Sequence, residues 1–134
     1  TASRSVIKRA PVGKGPLGIA VNPRTGAIYV ADWYENRLYA VDPATLAVTA
    51  TVATGLSPSG VAVTEDGATI LTADRDSNQV SVIDAATFKV RSTITTGERP
   101  FGITIDEPAG RAYTANVAAN TVTVIDLKSR TRLS

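Results

Sequence analysis

The sequence predicts an all-β chain of three four-stranded antiparallel blades, the repeating unit of a β-propeller, and three observations carry the prediction. One segment is written three times at a period of 42 residues with no gap, opening at Gly13, Gly55 and Gly97. Six columns are identical in every copy: that glycine; Pro16, Pro58 and Pro100; Gly18, Gly60 and Gly102; Ala31, Ala73 and Ala115; Asn36, Asn78 and Asn120; and Asp42, Asp84 and Asp126. Within each copy the apolar residues alternate with a period of two in four short β-branched runs, and helical spacing is absent. Four strands per unit of about 42 residues is the dimension of a propeller blade. The blades are 13–54, 55–96 and 97–134, the last lacking most of its fourth strand.

Each element has a local reason. In the second copy the strand runs are 61–63, 69–73, 79–83 and 90–94. Thr25-Gly26 and Asp66-Gly67 supply the positive φ of the turn between first and second strands, a role taken in the third copy by Pro108-Ala109-Gly110. Asn36, Asn78 and Asn120 lie between second and third strands, where asparagine tolerates the left-handed conformation. Asp42, Asp84 and Asp126 precede Thr45, Thr87 and Ser129 by three residues, so each carboxylate is placed to accept bonds from the turn into the fourth strand. Gly18, Gly60 and Gly102 lead into the first strand, which lines a propeller's axis, and close backbone approach explains the missing side chain. A positive φ at Gly60 would add strain to any substitution there.

Residues 6–12 align with the fourth strand at 90–96, so residues 1–12 are expected to be an outer strand that completes a blade by pairing with an open edge. Three blades are too few to close, because propellers have typically about four to eight. Two closures are expected: a head-to-tail homodimer forming a six-bladed ring, or the remaining blades of a longer chain. The chain begins at Thr1 and contains no methionine, which is read as an excised or processed piece of a longer product.

Composition narrows the chemistry. A chain of 134 residues that is 43% hydrophobic can bury one ordinary core. Its apolar runs are far short of the roughly 20 residues that span a bilayer, so no membrane span is expected. Cysteine and histidine are both absent, which removes disulfides, thiolate nucleophiles, Cys/His zinc sites, haem ligation and histidine acid–base chemistry. No cofactor is expected. A net charge of +2 neither demands nor excludes an anionic partner.

The stretches Gly-Ile-Ala-Val-Asn-Pro at 18–23, Gly26-Ala27-Ile28-Tyr29-Val30-Ala31-Asp32, Val82-Ile83-Asp84 and Gly97-Glu98-Arg99-Pro100 resemble the YVTN-type β-propeller repeat of YncE-like bacterial proteins and surface-layer domains. The likeness covers nearly the whole chain. The later copies depart from the Tyr-Val-Ala-(Asp/Asn) strand end, reading Leu71-Thr72-Ala73-Asp74 and Tyr113-Thr114-Ala115-Asn116. The resemblance implies a ring of about six to eight blades and a periplasmic or cell-surface location.

A ligand approached from one side needs different groups on different blades, so the candidate site lies where the copies disagree. Propeller sites gather on the loops entering the first strand (13–18, 55–60, 97–102) and between second and third strands (32–36, 74–78, 116–120). The disagreements there select Lys14, Trp33, Tyr34, Arg75, Arg99 and Phe101 as ligand-binding residues. Trp33-Tyr34 is an aromatic pair in a loop, whose alternative is packing over a neighbouring blade; Lys14 and Arg99 are either anion contacts or solvated charges. Asp74-Arg75-Asp76-Ser77-Asn78 imitates a calcium loop but has Gln79 and Ala85 where glycine and glutamate are needed, so no metal is expected. The function expected is a noncatalytic interaction module presenting a funnel face to a protein, polysaccharide or small ligand. One alternative is single-stranded nucleic-acid binding through Arg4, Lys8, Arg9 and Lys14 with Trp33 and Tyr34 as stacking platforms. The other is a metal-dependent lactonase-like or lyase-like enzyme, disfavoured by the lack of histidine and of a carboxylate cluster.

Overall fold

The computed structural model describes residues 4–134 and contains twelve strands. The first sheet has strands β1 (Pro16–Val21), β2 (Ile28–Asp32), β3 (Arg37–Val41) and β4 (Val48–Ala53); the second has β5 (Pro58–Val63), β6 (Thr69–Asp74), β7 (Gln79–Asp84) and β8 (Lys89–Thr95). The third has β9 (Pro100–Asp106), β10 (Arg111–Asn116), β11 (Thr121–Asp126) and a two-residue β12 (Thr131–Arg132). All neighbours in each sheet are antiparallel and consecutive. The register repeats with the sequence: Val30 faces Tyr39, Thr72 faces Ser81 and Thr114 faces Thr123. No helix among the described residues is long and apolar enough to cross a membrane.

The turn chemistry is as the repeat predicts. Asn36, Asn78 and Asn120 have φ of 55°, 52° and 53°, and Gly26, Gly67 and Gly110 have φ of 77°, 71° and 64°. Asp42 Oδ1 accepts the amides of Ala44 and Thr45 at 2.8 and 2.9 Å; Asp84 and Asp126 accept those of Thr87 and Ser129. The same turn forces Leu46, Phe88 and Arg130 into the left-handed region at φ of 60°, 52° and 56°.

The sheets stack face to face, with β5 packed between β1 and β9. Alternation sends Tyr29, Ala31, Leu38 and Ala40 from the first sheet onto Ile70 and Ile83 of the second. Leu71, Val80 and Val82 repeat the contact against Ala112 and Ile125 of the third. Burying a side chain the size of Leu38 contributes about 1.5–3 kcal/mol. Polar ties follow the same step, since Asn36 Oδ1 accepts Ser57 N at 2.8 Å and Asn78 Oδ1 accepts Arg99 N at 2.9 Å.

The first strands approach so closely that a Cβ on Gly18 would lie 1.8 Å from the Ser59 carbonyl oxygen, and one on Gly60 would lie 2.6 Å from that of Phe101. Proximity alone explains these glycines; neither has the positive φ considered for Gly60. At Gly102 a Cβ would meet nothing within 4 Å. The forward face of the third sheet is open: Val122 is 58% exposed, whereas Leu38 and Val80 in the same column are 0% exposed.

Residues 4–12 form no strand in the single chain; the outer-strand pairing expected of residues 1–12 is with an open edge supplied by a second copy or by further repeats. The second sheet separates this segment from the incomplete edge at β11. It crosses the first sheet instead, with Lys8 Nζ donating to the Thr45 carbonyl at 3.1 Å and Val12 packed on Val30, Tyr39 and Val41. Residues 1–3 of the expected outer strand lie outside the described residues.

Candidate functional site

At the loop end, the last residue of each second strand organises the loop that leaves it. Asp32 is enclosed at the end of β2, and its Oδ1 accepts the amides of Gly15, Tyr34 and Glu35 while Oδ2 accepts that of Lys14 at 2.7 Å. Enclosure works to raise its pKa, but the four backbone donors hold the carboxyl below its ordinary range. The effect on shape is to fix the loop carrying Trp33 and Tyr34 against the strand entry at Gly15; Trp33 N also donates to the Gly15 carbonyl at 2.9 Å.

Asp74 holds the equivalent place with a different outcome. It is fully buried and accepts from Ser81 Oγ at 2.6 Å, Thr72 Oγ1 at 2.8 Å, Gln79 Nε2 and Gly55 N. Burial dominates and pushes its pKa up, against all four donors. In the third sheet the column is Asn116, a neutral amide bonded to Thr114, Thr121 and Thr123.

These loops bring three sheets to one cleft. The Trp33 and Phe101 rings are 6.3 Å apart, and the Arg75 guanidinium sits 5.4 Å from the Trp33 ring centroid. Such a cation–π contact is worth about 0.5–1 kcal/mol at an exposed site. Arg75 is held by Asp76 at 2.7 Å, and Asp76 is in turn bonded by Ser57 Oγ at 2.6 Å. The Ser57 bond, helped by Arg75 and Arg99, keeps the Asp76 carboxyl low against partial burial. Gly15, Pro16, Leu17, Trp33, Tyr34 and Phe101 line a hollow of about 310 Å³. Tyr34 is 73% exposed.

Of the six residues selected from sequence, Trp33, Tyr34, Arg75 and Phe101 therefore meet. Lys14 turns to the Glu35 carboxylate at 3.7 Å. Glu35 also accepts the Tyr39 hydroxyl, and that bond raises the Tyr39 pKa to about 12. Arg99 is anchored by its backbone to Asn78, with its charge acting on Asp76. Leu17 and Pro16, which also line the hollow, were not selected; Leu17 stands in a variable column beside Ser59 and Phe101, which was the available signal. Asp74 and Asp76 are engaged by separate partners, and among the described residues no group of three acidic, histidine or cysteine side chains is placed to hold a metal ion.

No protein-family model matches the chain, and no curated protein does. Many solved chains share its fold. One is hydrazine synthase of Kuenenia stuttgartiensis. Its likeness covers 96% of this chain at a TM-score of 0.84 and 28% sequence identity. The match spans 38% of the hydrazine synthase chain.

Proposed function

We propose that this chain is an arc of a β-propeller whose loop face binds a protein, polysaccharide or small ligand without catalysing a reaction. The observation that carries this reading is the convergence of Trp33, Arg75 and Phe101, one from each sheet, beside the exposed Tyr34. Aromatic groups held on a rigid scaffold make contact area at small entropic cost. Membership of the YVTN-type repeat family, with a periplasmic or cell-surface location, belongs to the same reading and rests on the repeated strand-end and turn residues.

On peptide and glycan arrays, Trp33→Ala is expected to reduce capture of any recognised ligand about ten-fold, as for a central aromatic anchor. Unchanged capture by both Trp33→Ala and Phe101→Ala would remove the loop face from the function. The nucleic-acid reading has less support, because Lys8 is bonded at the turn beside Thr45 while Trp33 lies at the opposite end of the sheet. Single-stranded DNA titrated at two salt concentrations separates the two, since phosphate binding weakens steeply with salt. The enzyme reading has no histidine to draw on, and among the described residues no carboxylates are grouped to hold a metal ion.

The open forward face of the third sheet fits another blade of the same repeat, supplied by a second copy head to tail or by further repeats. The incoming first strand would approach Gly102 as Ser59 approaches Gly18. Val122→Asp is expected to reduce self-association in sedimentation without altering the monomer's circular dichroism. A chain that sediments as a folded monomer at all concentrations would exclude closure by a second copy.

A further inference from the structure

The end of the sheets opposite the loop cleft contains a second hollow. Between the first and second sheets, Tyr29, Ala40, Ala50, Gly67, Ala85 and Phe88 help line a space of about 420 Å³. The corresponding place between the second and third sheets, lined by Leu71, Val82, Leu127 and Arg130 among others, holds about 10 Å³. The strand register is the same in both, Tyr29 facing Ala40 as Leu71 faces Val82. Register therefore does not make the difference, and the side chains at equivalent positions differ in bulk. At equivalent positions Val82 becomes Ala40 and Leu127 becomes Ala85, while Leu71 becomes Tyr29 and Arg130 becomes Phe88. Protein interiors leave few voids larger than a water molecule, and this fold fills the place when its sequence supplies the bulk.

The emptied space also gains a polar handle. Tyr29 is 3% exposed, and Asn22 Nδ2 donates to its hydroxyl oxygen at 3.0 Å. Asn22 Nδ2 also donates to the Gly67 carbonyl, and its Oδ1 accepts the amides of Arg24 and Thr25. The phenolic hydrogen of Tyr29 has no acceptor among the described residues. The Tyr29 and Phe88 rings stack with centroids 5.9 Å apart and form an aromatic wall. The charged residue at the rim, Asp84, is bound to Arg91 at 2.6 Å and to Thr87 N. With that charge paired, the lining offers no free ion to hold a charged ligand.

We propose that this cavity binds a neutral aromatic molecule of one or two rings bearing an oxygen acceptor, in the class of aryl ketones and esters. The ring lies against Phe88 and the alanine floor, and the oxygen accepts the Tyr29 hydrogen. The site is independent of the loop cleft, whose reading stands or falls separately.

The test is titration of the whole chain with acetophenone and with ethylbenzene, which has the same ring but no oxygen, followed by NMR of the alanine methyl groups. Saturable shifts at Ala40, Ala50 and Ala85 are expected, with acetophenone bound about five-fold more tightly, the worth of one neutral hydrogen bond. Tyr29→Phe should bring acetophenone to the ethylbenzene level. Ala85→Leu, which copies Leu127, should abolish both titrations while leaving the Trp33 indole resonance in place. If that variant fails to fold, Ala40→Val, copying Val82, makes the same test. Absence of saturable shifts at millimolar probe, binding indifferent to the filling substitutions, or equal affinity for the two probes would overturn the proposal.

Discussion

Replacing Gly18 with alanine is expected to destabilise the chain by about 2–4 kcal/mol, the range of a severe overpacking error. The added methyl would fall 1.8 Å from the Ser59 carbonyl oxygen, and that carbonyl belongs to a strand fixed on both sides. Relief requires moving the first sheet away from the second, which opens the Leu38 and Ile70 contacts. Gly60→Ala should be damaging but less so, because its 2.6 Å clash needs a smaller displacement. Gly102→Ala is the internal control. Nothing lies within 4 Å of its added methyl, so the isolated chain should be unchanged within about 0.5 kcal/mol. Guanidinium unfolding followed by circular dichroism ranks the three; equal losses at Gly18 and Gly102 would contradict the close approach of first strands.

The second large effect concerns Asp74. Asp74→Ala should cost about 2–4 kcal/mol, because it leaves the Ser81 and Thr72 hydroxyls without their acceptor in a dry place. Asp74→Asn behaves differently. Burial raises the folded carboxyl's pKa above its unfolded value, so between those values the native state holds a proton that the unfolded state has released. Stability from this group therefore falls as pH rises through that window and stays reduced above it. An amide does not titrate. The stability of Asp74→Asn relative to the parent should increase with pH from the carboxylate range upward and then level off. Urea midpoints over about pH 4–8 measure it, and a difference that ran the other way would show that the four donors outweigh burial. The third sheet already carries this amide as Asn116, with threonines completing its bonds.

Much of the fold was legible because its signals are local and written three times. The period placed all three sheets, and the turn residues behaved as their chemistry requires: asparagine left-handed, aspartate accepting turn amides, glycine at positive φ. The second-copy strands were found within a few residues, the main extension being the entry at Pro58. The segment 6–12 carries a strand-like pattern, and such a pattern says nothing about which edge is within reach. In the candidate site, variation between copies marked Trp33, Arg75 and Phe101 without revealing that they touch. Their meeting depends on how one sheet steps to the next. The roles of Asp32 and Asp74 were hidden for a different reason: the same residue type in the same column differs in its partners, mainly backbone amides for one and hydroxyls for the other, and in whether burial or the donors prevail.

The turn between third and fourth strands holds a large side chain in the left-handed region at Leu46, Phe88 and Arg130. Glycine would relieve about 1–2 kcal/mol of steric cost at such a position. A large side chain at this turn can make contacts that glycine lacks, and all three copies hold it on the same backbone conformation. The column therefore acts as an interchangeable fitting: Leu46 covers one outer face, Phe88 walls a hollow and Arg130 borders a filled seam. Each junction between sheets can be given its own lining by exchanging this residue, while the chain path that every copy shares stays as it is.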